Sequence, residues 1–316
     1  MKELQLIINS SEITAGTRGA SLGPDAVITA ARKKGSQFFH DYPAVRIENE
    51  NHLLDTNVKY PYAKRIEGLV KVFDRISSMV KLTLDNGKFP LVLASDHGSA
   101  GGTIAGIKAA YPNKRLGVIW IDAHGDLHTP YTTPSGNMHG MPLATALGED
   151  NLECKSNEPH EGIVGHWNAL KNTGIEGPKL KPEDLVFIAV RDTEKQEDAI
   201  MERYGITNHT VDQVRSEGVD EIIRKSLEQL SDCDMIYVSF DVDSMDPELT
   251  SFGTGTPVEH GLSPEEAKAF LQAFGENEKL VCMEFVEVNP CLDNKQNRMA
   301  EVTFDLLEDA ANSIKK

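Results

Sequence analysis

Leu116-Gly-Val-Ile-Trp-Ile121, running directly into Asp122-Ala-His-Gly-Asp126, is the stretch on which the reading of this chain turns. The first six residues form a short apolar run of the kind that makes a strand buried in a parallel sheet. The next five bring three metal-capable side chains to the point where a strand ends and a loop opens. Open α/β sheets build their sites there. Ser239-Phe-Asp-Val-Asp243, following Met235-Ile-Tyr-Val238, repeats the arrangement. Two aspartates spaced i, i+2 on an extended strand end point the same way. Together the two clusters offer four carboxylates and an imidazole, enough to hold two divalent metals.

Outward from this pair, further apolar, β-rich runs recur at Leu4–Ile8, Pro90–Ser95, 184–190 and Val281–Val286. Helical periodicity fills the segments between them, at Ala63–Leu84, Val219–Leu230 and Ser263–Phe274, and Arg298–Ile314 reads as a closing helix. Ser263-Pro-Glu-Glu266 carries an N-cap serine, a proline at the first helical position and a glutamate three residues after the cap. Alternating strands and helices predict a parallel sheet covered on both faces. No linker or repeat interrupts the pattern, so one domain over residues 1–316 is expected. The polar, glycine-spotted stretch Gly148–Gly177 reads as an excursion between elements.

The 316 residues are 40% hydrophobic and 26% charged, an ordinary globular composition. A formal net charge of −17 argues against a nucleic-acid-binding surface and against anionic membranes, and favours approach of a cation. Cys154, Cys233, Cys282 and Cys291 have neither CxxC spacing nor a regular framework, so no disulfides and no cysteine-based zinc site are expected. The opening MKELQLIINS lacks the apolar stretch of a signal peptide, and no segment approaches a membrane span. A cytoplasmic protein is the expectation.

Two further signals fall at strand ends: Asp96-His97-Gly98 after Pro90–Ser95, and Glu287-Val-Asn-Pro290 after Val281–Val286. Alone, each is weak. Their convergence with the two aspartate clusters is what points to a site. His97, Asp122, His124, Asp126, Asp241 and Asp243 supply mixed nitrogen and oxygen ligands, which suit manganese and, less specifically, zinc, cobalt or iron.

In these motifs the chain resembles the arginase/agmatinase (ureohydrolase) family, arginases most of all. The resemblance runs from Gly19-Ala-Ser-Leu-Gly-Pro24 to Glu287-Val-Asn-Pro290 and includes Ser239-Phe-Asp-Val-Asp-Ser-Met-Asp-Pro247. It implies a three-layer α/β/α sandwich around a mostly parallel eight-stranded sheet. It also implies two Mn2+ per subunit, hydrolysis of a small cationic guanidino substrate to urea and an amine, and a homo-oligomer, trimer or hexamer. Carried over, His97, Asp122, Asp126 and Asp243 fall on one metal's ligands or the bridges, and His124 and Asp241 complete the second. Ser135-Gly-Asn137 is the arginase-like element that binds an α-carboxylate, and His139 falls on the proton-shuttle position. Glu287 would hold the guanidinium and Thr256 would line the pocket. Asp126 would relay a proton after a metal-bridging hydroxide attacks the guanidinium carbon, giving L-ornithine and urea from L-arginine.

Two departures bear on the substrate. His128 stands where the family has an asparagine that binds the α-carboxylate; an imidazole there would pair with that group or donate one hydrogen bond. Glu194 stands in place of an aspartate near the α-amino group, while Glu197 matches the second acidic residue. One extra methylene moves a carboxylate by about 1.5 Å, so an altered chain-length preference is expected. Ser95 and Gly98 also exchange the family's glycine and serine around the first ligand. The alternatives are a hydrolase of agmatine or a guanidino acid, a zinc deacetylase on the related fold, and a catalytically silent metal-binding relative.

Overall fold

The computed structural model describes residues 2–315. Eight strands form one sheet: β1 (Leu4–Asn9), β2 (Val45–Ile47), β3 (Phe89–Ala94), β4 (Leu116–Ile121), β5 (Leu185–Ile188), β6 (Thr207–His209), β7 (Met235–Asp241) and β8 (Leu280–Val286). Their order is β2-β1-β3-β8-β7-β4-β5-β6, and every pairing is parallel. The helices are α1 (Gly23–Lys34), α2 (Phe38–Asp41), α3 (Ile66–Asp85), α4 (Ala100–Ala110), α5 (Pro142–Leu147), α6 (Glu161–Lys171), α7 (Lys195–Tyr204), α8 (Val211–Glu217), α9 (Val219–Gln229), α10 (Pro264–Gly275) and α11 (Arg298–Ile314).

The sheet separates two apolar cores because side chains alternate across a strand. On β4, Ile119 and Ile121 join a core with Phe270, Phe274 and Phe304 from α10 and α11. Val118 and Trp120 join the opposite core, with Phe73 of α3, Ile104 of α4 and Trp167 of α6. Both faces are covered, which gives the expected three-layer α/β/α sandwich. Among the described residues, no helix is long and apolar enough to cross a membrane.

Element limits have local causes. α3 starts at Ile66 rather than Ala63 because Arg65, its N-cap, has φ 59° and cannot continue a right-handed helix backwards. α10 begins after Ser263, whose hydroxyl accepts the Glu266 N–H at 3.1 Å while Glu266 accepts the Ser263 N–H at 2.8 Å. The excursion at Gly148–Gly177 is more regular than expected, since it contains α6, which buries Ile163, Trp167 and Leu170. β2 and β6 were missed by pattern reading. Each is three residues long and only partly buried, so neither makes an apolar run. Cys233 and Cys282 lie in the interior, and all four cysteines are unpaired.

This strand order positions the site. β3, β8, β7 and β4 are consecutive neighbours at the centre of the sheet. The loops leaving their carboxyl ends, scattered over almost 200 positions of sequence, therefore open side by side.

Candidate active site

His97 begins the turn after β3. Its ring stacks on Trp120 with centroids 4.0 Å apart and planes 4° from parallel. Its Nε2 lies 2.7 Å from Ser239 Oγ. Its Nδ1 faces three carboxylates, Asp122 at 2.9 Å, Asp241 at 3.1 Å and Asp126 at 3.2 Å. A second group gathers on His124, whose Nδ1 is 3.2 Å from Asp243 and 3.5 Å from Asp122. Asp122 belongs to both groups and is the geometric bridge. The expected division changes at one point: Asp241 faces His97 and Asp243 faces His124. The reason is local, since Asp241 ends β7 while Asp243 lies in a tight turn over Val242–Ser244 that redirects it.

Electrostatics show how unfavourable this gathering is without a cation. Burial pushes Asp126 up to about 8, with the neighbouring Asp122 carboxylate adding to the shift. Burial pushes Asp96 to about 7, helped by Glu287. Asp241 is driven well above the carboxylate range by burial and by Asp243 and Asp122. Asp122 resists burial and goes down, held by His124 and His97. Crowded buried carboxylates cannot all ionise unless positive charge joins them.

The donor atoms fit a pair of divalent cations. His97 Nδ1 and Asp126 Oδ2 are fully buried and form no hydrogen bond, although they lie 3.2 Å apart. Atoms that converge without bonding one another leave their lone pairs aimed at shared space. The set is imidazole nitrogen and carboxylate oxygen, with no thiolate, which suits divalent cations that accept mixed nitrogen and oxygen donors.

Around the cluster lies a cavity of ≈ 230 Å³. Its wall takes in His97, His124, Asp126, Asp241 and Asp243, and also His128, Ser135, Asn137, His139, Glu194, Glu197 and Thr256. Glu287 is buried behind it. One Glu287 oxygen accepts the His97 backbone N–H at 2.8 Å and lies 3.6 Å from His139 Nδ1. Burial works against charge on His139, but Glu287 overcomes it and raises its pKa. Thr256 donates to Asp243 at 3.0 Å. Asp126 and Glu287 both hold left-handed backbone, φ 51° and 68°, and so does Ala189 after β5 at 72°.

His128 does not stand free for a substrate. Its Nε2 is 2.7 Å from Glu194 and its Nδ1 is 3.2 Å from the Thr132 hydroxyl. Glu197 is also committed, accepting from the Leu127 N–H at 3.0 Å and the Glu194 N–H at 3.1 Å as the capping partner of α7. Burial drives its pKa well up. These contacts tie His128, Glu194 and Glu197 into one unit at the pocket wall.

Sequence reading assigned no role to Trp120, Ser239, Asp192 or Lys64. Trp120 donates from Nε1 to Asp122 at 2.9 Å, which the period of β4 could have signalled, since residues 120 and 122 share a face. Asp192, on the pocket wall, lies 3.7 Å from His124. Lys64 donates to Asn137 across 73 positions, a contact that no local pattern announces.

Comparison with known proteins places the chain in a family. The profile of the arginase family matches residues 6–312. Bacillus subtilis arginase is 32% identical over 311 residues, covering 97% of each chain. The crystal structure of Bacillus cereus arginase superposes with TM-score 0.82 at 31% identity, covering 98% of each chain. Entamoeba histolytica arginase, solved with L-ornithine, gives TM-score 0.80 at 25% identity, covering 100% of this chain and 99% of that one. Fold and donor cluster together define a ureohydrolase, an enzyme class built on a binuclear metal site. Within that class, the chain belongs to the arginase family.

Proposed function

We propose that the protein hydrolyses L-arginine to L-ornithine and urea, with two manganese ions as its cofactor. The observation that carries the reading is one pocket in which both donor groups meet Ser135 and Asn137, polar groups suited to an amino-acid carboxylate. An arginase relative of the same fold, solved with L-ornithine, supports it. When bound at His97, Asp122, Asp126, Asp241, His124 and Asp243, the two cations supply a strong nucleophile from water near neutral pH.

Guanidinium is resonance-stabilised and a poor electrophile, so its orientation matters as much as the nucleophile. One Glu287 oxygen is anchored by the His97 N–H, and the carboxylate takes the guanidinium through charge-assisted hydrogen bonds. Asp126, through whichever carboxylate oxygen is not committed to a cation, would accept a proton from the attacking water. It delivers that proton to the leaving amine as the C–N bond breaks. His139, beside Glu287 and partly exposed, exchanges protons with solvent. Ser135 and Asn137 donate to the α-carboxylate, and Glu194 accepts from the α-amino group. His128 and Glu197 position Glu194, and Thr256 steadies Asp243.

A single catalytic domain over residues 1–316, assembled in the cytoplasm as a trimer or hexamer, completes the proposal; sedimentation velocity checks the assembly. The reaction is tested by urea release after manganese loading, with L-arginine and agmatine side by side. Preferential turnover of L-arginine is expected. Preference for agmatine would overturn the substrate, and no turnover of any guanidine would overturn the activity.

A further inference from the structure

The Asn137 amide is set from behind by a cation. Lys64 Nζ donates to Asn137 Oδ1 at 3.0 Å. An ammonium group has donors and no acceptor, so it decides which end of the amide is oxygen. The Nδ2 end lies over Gly16, where an added Cβ would come within 2.8 Å of it. Asn137 lines the pocket while Lys64 does not. With Oδ1 drawn to the ammonium and no protein acceptor for Nδ2 among the described residues, the amide offers its N–H hydrogens first to a ligand.

The backbone holds the same register. The Lys64 N–H donates to the Gly136 carbonyl at 2.8 Å. Gly136 has φ 75°, and a Cβ there would sit 1.7 Å from the Pro61 carbonyl oxygen. No L-residue with a side chain fits that approach. The segment 61–64 and the loop 135–137 are thus locked together at three points: the Gly136–Pro61 contact, the Lys64 backbone bond and the Lys64 ammonium.

We propose that Lys64 is a positioning residue that fixes Asn137 as a hydrogen-bond donor and so selects guanidino compounds carrying a carboxylate. The inference rests on the guanidine-hydrolase reading and adds the residue behind the pocket wall that sets the donor for the carboxylate. A flipped amide would turn its oxygen toward the substrate, repelling a carboxylate and favouring an ammonium or neutral end. The Lys64 charge also polarises the amide, strengthening the N–H that faces the ligand.

The test is steady-state kinetics of the manganese-loaded wild type, Lys64→Met and Lys64→Arg, on L-arginine, a shorter guanidino acid and agmatine. With Lys64→Met, KM for the carboxylate-bearing substrate rises about tenfold, the loss of one charge-assisted hydrogen bond, and far more than kcat falls. Lys64→Arg, which keeps a cationic donor, recovers most of that loss. An unchanged KM in Lys64→Met overturns the inference, as does a fall in kcat alone. Wild-type turnover of agmatine but of no guanidino acid also overturns it, while leaving guanidine hydrolysis standing. Absence of any turnover removes the hydrolase reading itself, and this inference with it.

Discussion

His97 is restrained from three directions, by the indole of Trp120, the hydroxyl of Ser239 and the carboxylates before it. For Nδ1 to serve as a ligand it must be unprotonated, so Nε2 carries the hydrogen and Ser239 Oγ accepts it. Ser239→Ala is expected to weaken manganese binding about tenfold or more, read as metal content after dialysis against graded chelator. At Asp126, replacement by asparagine keeps the size and removes the proton acceptor. Turnover should fall by about a thousandfold, whereas His139→Asn should lose only part, because solvent can still exchange protons at a partly open wall. Stopped urea assays on the two variants separate these roles, and equal losses would contradict them. The gathering of these six side chains was legible in the sequence because they stand at strand ends at short, regular spacings. The tie of His128 to the pocket wall was not legible. Its partners, Glu194 and Thr132, are set by how two loops meet, which spacing within either loop does not encode.

Elements place these residues, and their stability rests on local devices. The capping box at Ser263 and Glu266 starts α10, a helix that buries Phe270 and Phe274. Ser263→Ala should cost about 1 kcal/mol, measured by chemical denaturation. On the other face, buried Glu50 meets Lys71 at 3.1 Å and Arg75 at 2.7 Å on α3. Burial works to raise its pKa, but those two cations overcome it and hold it below the ordinary 4.5. A carboxylate with a lowered folded pKa contributes stability that is full above its unfolded value and lost as pH falls through the folded one. Glu50→Gln should therefore melt lower than wild type at neutral pH, with the gap closing under acid conditions below 4.5. Calorimetry across pH checks this, and a gap independent of pH would refute the ionic account. Long apolar strands and capped helices were readable in advance because period and cap chemistry are local. β2 and β6 were not, because three-residue edge strands take their pairing from the neighbouring strand rather than from their own pattern.

Over the whole molecule, the strand order is what no stretch of sequence announces. β7 and β8 come late in the chain yet lie between β3 and β4, and that insertion gathers the donors. The gathered charge makes the fold sensitive to cations. At manganese concentrations about a hundredfold above the dissociation constant, binding adds about 2.7 kcal/mol to stability. The melting temperature should rise by about 5 °C on loading and return on chelation, as differential scanning calorimetry will show. A melting point indifferent to manganese would count against the cluster as a metal site. The left-handed backbone at Asp126, Glu287 and Ala189 has a consequence for anyone breeding a hardier enzyme. Glycine is the relaxed backbone choice at such positions, so a screen for heat endurance alone pulls toward it, although at 287 it also strips the acceptor from the buried His97 N–H. At 126 and 287 that choice removes a carboxylate on which the proposed chemistry depends. At 189 the side chain is a lone methyl with no donor to forfeit, and there endurance can rise while turnover stays as it was.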